Sequence, residues 1–183
     1  EILRDMNLDD KTYPPRYVLS IIGRQKDRII SPEQMEEDSR SASDYRIVQI
    51  AKAYAVYQKR LKDNNALDFD DILYVTVKLL QQDREVREYY QRKFHYVQVD
   101  EYQDTNHVQY LLTELLAGDR RNICVVGDDD QSIYRFRGAT IENILSFEEQ
   151  YPGARVIRLE QNYRSTQSIL DAANAVISHN EGR

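Results

Sequence analysis

Three apolar runs in this chain end in residues suited to phosphate chemistry. "FHYVQVD" (94–100) runs into Asp100-Glu101 and then Gln103-Asp104. "NICVVG" (122–127) runs into three acids, Gln131 and Arg135-Phe136-Arg137. "RVIRLE" (155–160) runs into Gln161-Asn162-Tyr163-Arg164. Two neighbouring carboxylates repel each other unless a cation compensates them. Mg²⁺ suits such a pair, because it takes carboxylate oxygens, keeps waters and bridges to substrate phosphates. Asp100 would then hold the metal while Glu101 orients an attacking water. Gln131 can hydrogen-bond both a water and a terminal phosphate oxygen, and Arg164 can neutralise charge on a transferring phosphoryl group. Tyr163 offers a flat face to a purine. Plainer readings stand beside these: an acidic strand exit facing solvent, and a core tyrosine.

The elements that must carry these residues change character along the chain. Residues 1–93 read as helical. Pro14-Pro15 opens a helix through Tyr17, Ile21 and Ile22, and Ser31-Pro32-Glu33 opens another by N-cap and N1 preferences. Ile47, Ile50, Ala51, Tyr54, Tyr57 and Leu61 form one stripe at three- and four-residue steps, ended by Asn64-Asn65. Asp68 is placed to cap a helix through Ile72, Val75 and Leu79, and a charged helix follows from Arg84 to Arg92. After Phe94, strand and helix alternate three times. The helix after the first strand stops at Gly118, the second starts near Thr140 and ends at Tyr151, and Ser165 is expected to cap the third. That order predicts an α/β fold with a parallel sheet and right-handed crossovers. Ligands of such sheets bind beyond the carboxyl ends of the strands, where the three polar clusters lie.

Composition narrows the classes. The 183 residues are 41% hydrophobic and 31% charged, a globular balance. No apolar run approaches the ~18–20 residues of a membrane helix. The single cysteine, Cys124, excludes an internal disulfide and is expected to be a buried thiol in a cytoplasmic protein. Residues 1–93 balance 17 Lys and Arg against 17 Asp and Glu, whereas 94–183 carry 8 against 14, the whole net charge of −6. Nucleic-acid contact would therefore need a local patch. The six glycines never form G-x-x-x-x-G-K-[ST], so the phosphate-cradling loop lies elsewhere. The chain begins at Glu1 rather than Met, and Ile2-Leu3-Arg4 reads as the middle of an element, which suggests a piece of a larger protein.

"VDEYQDTN" (99–106), "VVGDDDQSIYRFRGA" (125–139) and "LEQNYRST" (159–166) resemble, in order and spacing, motifs II, III and IV of UvrD/Rep-type superfamily 1 DNA helicases. "LDFDDIL" (67–73) is similar to the motif that precedes motif II in these enzymes. The resemblance covers essentially the whole chain. It implies a helical insertion subdomain at 1–93 and part of a RecA-like ATPase core at 94–183, the P-loop NTPase type of parallel sheet. It implies ATP-driven 3′→5′ translocation on single-stranded DNA and unwinding at duplex junctions. By motif position, Asp100 would bind Mg²⁺, Glu101 would activate water, Gln131 and Arg164 would contact the γ-phosphate, and Tyr163 would stack on adenine. Phe69, Tyr134 and Phe136 would meet DNA bases, and Arg137 would link the nucleotide site to the DNA groove. Many relatives carry Trp at the position of Phe136, so weaker stacking is expected here. Phe136 between two arginines also resembles the helicase subunits of helicase–nuclease complexes, while Tyr102 and the DDDQ run fit the UvrD/Rep branch.

The P-loop lysine, the N-terminal adenine-contacting glutamine and the second motor lobe of that family are absent from these 183 residues. The chain alone is therefore expected to be inactive. Two readings from other classes are a non-catalytic RecA-like interaction domain and a metal-dependent phosphohydrolase using Asp128–Asp130. His95, His107 and His179 are too dispersed for a ligand set.

Overall fold

A computed structural model describes residues 1–41, 43–132 and 138–179. Tyr134, Phe136 and Arg137, expected to contact DNA, lie outside the described residues.

The first half is helical, as the stripes predict: α1 (Ile2–Asp5), α2 (Pro15–Asp27), α3 (Pro32–Ser39), α4 (Tyr45–Asp63), α5 (Phe69–Gln82) and α6 (Arg84–Lys93). Their ends follow local chemistry. Pro15 and Pro32 stand at first helical positions, where the missing N–H costs nothing, and Ser31 Oγ accepts from Gln34 N–H. Asn65, at φ 49°, turns the chain after α4. Asp68 and Asp71 form a reciprocal capping box at the start of α5. The stripes of α2 to α4 close over one core of Val18, Ile21, Ile22, Met35, Ile50, Ala51, Ala53 and Tyr54.

Beyond Phe94 come β1 (Val97–Val99), α7 (His107–Ala117), β2 (Ile123–Val125), α8 (Glu142–Leu145), α9 (Phe147–Gln150) and α10 (Gln167–Ile177). The strands pair in parallel, Val97 opposite Ile123 and Val99 opposite Val125. The described chain is thus an α/β fold rich in helix, with a small parallel sheet. α7 begins with its own capping box, Asn106 with Gln109, and ends at Gly118, whose φ of 54° suits glycine. It packs against β1, α5 and α6.

Four expectations differ. Cys124 is exposed. Strand alternation sends Ile123 and Val125 to the half-buried face and Cys124 to the other, which no layer covers among the described residues. Residues 155–160 form no strand, since a ladder needs a partner and β1–β2 is the sole pair described; Leu159 is 85% exposed. The helix expected through Tyr151 is split at Ser146 into α8 and α9. Thr166, not Ser165, stands at the N-terminus of α10, and without a side-chain cap bond.

The end of α2 and the start of α7 are tied by Asn106 Nδ2 donating to Asp27 Oδ1, 2.9 Å. The Asp27 carboxyl is pushed up to about 6, first by burial and then by the Asp70 charge, against the Asn106 bond. The folded chain therefore holds this proton more tightly than the unfolded chain between about pH 4 and 6. The group favours folding below that window and opposes it above. Asp27→Asn keeps the side-chain size and an acceptor for Asn106. It should stabilise the chain by about 1 kcal/mol at about pH 8, a gain that fades towards about pH 4. Urea unfolding at both pH values measures this, and a variant less stable than wild type at the higher pH refutes it.

Candidate functional site at the strand ends

The parallel pairing brings the carboxyl ends of β1 and β2 to one edge. Hydrogen bonds then stitch the segments that leave them. Val126 N–H donates to Val99 O at 2.8 Å, and Tyr102 N–H donates to Val126 O at 2.9 Å. Between those bonds sit Asp100 and Glu101, both exposed. Asp100 Oδ1 accepts the Glu101 N–H at 3.0 Å. Glu101 adopts a left-handed conformation, φ 51° and ψ 43°, uncommon for a non-glycine residue. Backbone strain of this kind is held in place by its surroundings and gathers at functional positions. Here it breaks the strand direction and starts the tight turn Tyr102–Asp104.

Gln103 follows inside that turn and is 1% exposed. Its Nε2 donates to Glu101 Oε2 at 2.7 Å. Its Oε1 accepts the Asp128 N–H at 3.0 Å. Across the edge, Asp128 shapes the loop after β2: its carboxylate accepts the Asp130 N–H at 3.1 Å and Gln131 Nε2 at 2.6 Å. The three-acid run is therefore a turn whose capping acid is Asp128, rather than Asp129 or Asp130. Ser132 Oγ donates to Gln103 O at 3.3 Å, a second link between the two segments. Asp100, Glu101 and Gln131, picked out from the sequence, thus belong to one bonded unit. Among the described residues, no group of three or more His, Cys, Asp or Glu side chains gathers to hold a metal by itself.

Tyr163 and Arg164 are exposed, Tyr163 to 92%. Their loop is organised locally: Asn162 Oδ1 accepts the N–H groups of Arg164 and Ser165, each at 2.9 Å. The structure does not pack Tyr163 as a core tyrosine.

Phe69 is 90% exposed, although it begins a helix whose other face is buried. At the same helix start lies a charged cluster. Lys26 of α2 is 0% exposed, and its Nζ meets Asp68 Oδ2 at 2.7 Å and Asp71 Oδ1 at 2.9 Å. Tyr57 Oη donates to Asp68, and Gln58 Nε2 donates to Asp71. Burial pushes the Asp68 carboxyl up, but the Lys26 hydrogen bond, the Asp71 backbone N–H and the Lys26 charge outweigh it and hold the group below its ordinary value. The capping box that starts α5 is thus locked to α2.

Lys26 was not singled out from the sequence, and Gln103 was named at the end of the first strand without a role of its own. The signal for Lys26 is its place four residues after Ile22, on the apolar stripe of α2; a lysine there requires a buried carboxylate partner. The signal for Gln103 is weaker. Gly127 does not adopt a positive φ, yet a Cβ there would lie 2.6 Å from Gln103 Oε1 and 2.8 Å from Ile144 Cδ1. The glycine is there for space, and the space is filled by an amide.

Residues 1–152 match the family described as the UvrD/REP helicase N-terminal domain. Across its length the chain is similar to proteins named ATP-dependent DNA helicase PcrA. It is 53% identical over 182 residues to that of Bacillus subtilis, and 50% identical over 183 residues to those of Staphylococcus epidermidis and Staphylococcus aureus. In each case the match covers 100% of this chain, which spans only about a quarter of the length of these curated relatives.

Proposed function

The chain belongs to the UvrD/REP helicase N-terminal domain family, and from that premise we propose that it is part of an ATP-dependent 3′→5′ DNA helicase. In this reading residues 1–93 are the helical insertion of the first motor lobe, and 94–183 are part of its RecA-like core. The observation that supports it best is the bonded edge at the ends of β1 and β2, which holds Asp100, Glu101 and Gln131 in one unit. An interaction module would have no need for a strained glutamate held by a buried amide at such an edge. The phosphohydrolase reading fares worse, because the Asp128 carboxylate is occupied by the turn it caps.

The donor chemistry of this edge suits Mg²⁺: exposed carboxylate oxygens with room for waters and phosphate oxygens. Asp100 would hold the ion. When bound, Mg²⁺ supplies charge neutralisation for the phosphates of ATP. Glu101 has one oxygen fixed by Gln103 and would orient the hydrolytic water with the other. Gln131, now donating to Asp128, would turn from it towards the terminal phosphate. Arg164 would approach that phosphate and Tyr163 the adenine when the loop at 161–166 closes on the nucleotide. The phosphate cradle comes from outside the 183 residues. DNA-stimulated ATP hydrolysis by the full-length protein, with none by the chain alone, is the expected result. Steady-state turnover by the chain alone would overturn the assignment.

Phe69 gives the DNA side of the proposal its own test. Because the ring is exposed, removing it sacrifices no core packing. Phe69→Ala in the full-length protein should weaken binding to single-stranded DNA by about 1–3 kcal/mol, the worth of one base stacked on an aromatic ring. Its melting temperature should stay at the wild-type value. Fluorescence anisotropy with oligo-dT reads the affinity, and an unchanged Kd removes Phe69 from the DNA track.

A further inference from the structure

The strand-end geometry points to Gln103 as the positioning residue that fixes Glu101 and ties it to the loop carrying Gln131. This rests on the proposed role of Glu101 in ATP hydrolysis. The Gln103 amide can face only one way. A backbone N–H only donates, so the atom 3.0 Å from Asp128 N must be the amide oxygen. The nitrogen is then left for Glu101, and an ionised carboxylate can only accept, at 2.7 Å. Both ends of a side chain that is 1% exposed are thus satisfied, and neither can be exchanged for water without opening the edge.

Three further features belong to the same arrangement. The left-handed backbone of Glu101 turns its side chain back alongside that of Gln103, two residues on. Gly127 leaves the space that the amide oxygen occupies. Asp128, whose N–H holds the amide, also holds the side chain of Gln131 through its carboxylate. Movement of the Gln131 loop therefore reaches Glu101 through one rigid amide. A catalytic group placed by its support tolerates little displacement, since reaction depends steeply on alignment.

The test uses the full-length protein in which this chain lies, with single-stranded DNA, ATP and Mg²⁺. Gln103→Met keeps the length of the side chain and removes both hydrogen bonds. Gln103→Glu keeps the acceptor for Asp128 but sets a carboxylate against Glu101. For both, kcat should fall about 10- to 100-fold, the usual effect of losing a residue that orients a catalytic group. The Kd for a fluorescent non-hydrolysable ATP analogue with Mg²⁺ should stay within about threefold of wild type, since binding does not need the alignment. Adding either change to Glu101→Gln should lower kcat no further, because the two residues act as a unit. Should Gln103→Met fail to give a wild-type melting temperature, Gln103→Glu, which keeps the link to Asp128, decides alone. Parallel loss of analogue binding and turnover, or full additivity with Glu101→Gln, overturns the inference. Turnover lost in Glu101→Gln but kept in Gln103→Met overturns this inference alone. Wild-type turnover in Glu101→Gln overturns the reading beneath it.

Discussion

Glu101→Gln in the full-length protein should reduce DNA-stimulated ATP hydrolysis about 10²- to 10⁴-fold, the range for loss of a general base. The substitution keeps the size and hydrogen-bonding reach of the side chain. It removes the charge that draws a proton from water. ATP binding should persist, because the acid proposed to hold Mg²⁺ is Asp100 next door. Unwinding should fail with hydrolysis, while single-stranded DNA is still bound. Steady-state ATPase assays and equilibrium binding of an ATP analogue separate these outcomes. If turnover and nucleotide affinity fell together, Glu101 would be a binding residue. If neither fell, the proposed site would be wrong.

Lys26→Met should strongly destabilise the helical half, costing about 3–5 kcal/mol, because it strands buried carboxylates without their cation. Asp71 is fully buried and Asp68 largely so. The apolar replacement matches the volume of the lysine stem, so the loss reports the charge. Urea unfolding of the chain measures it, and adding about 0.5 M salt should barely change the wild-type value, as expected for a pair out of reach of screening ions. The bond also sets an acid limit. Asp68 is held below its ordinary value, so the stability it contributes is present above the unfolded carboxylate pKa and disappears as the pH falls through the folded one. A loss under about 1 kcal/mol in Lys26→Met would mean the cluster is a surface pair in disguise. Since Asp68 and Asp71 start the helix that displays Phe69, the same variant should also loosen that exposed ring.

How far the site was legible in advance depends on the range of each interaction. Asp68 could be read as a cap because its partner, Asp71, is three residues away. Asn65 and Gly118 could be read as helix ends for the same reason, as backbone conformation is a local property. Asp100, Glu101 and Gln131 could be read as one cluster because the carboxyl ends of parallel strands share an edge. Lys26 could not be matched to Asp68 from the sequence, since 42 residues separate them. Nor could the 25-residue link from Gln103 to Asp128 be seen. Cys124 shows the limit most simply. An apolar run states that some face is buried, but the side that receives a layer depends on what packs there.

By itself, then, the amino-acid sequence determined where the helices of the first half start and stop, the first two strands and the helix between them after Phe94, and which polar residues leave those strand ends. Those follow from forces acting within a few residues: capping hydrogen bonds, backbone preferences and hydrophobic period. Only the tertiary structure decided which groups meet across the chain. It placed a lysine between two carboxylates, an amide between a glutamate and a distant N–H, and left Tyr163 and the 155–160 segment open. The physical reason is that desolvation and hydrogen-bond pairing depend on distance in space, which the chain acquires only when its apolar faces have closed.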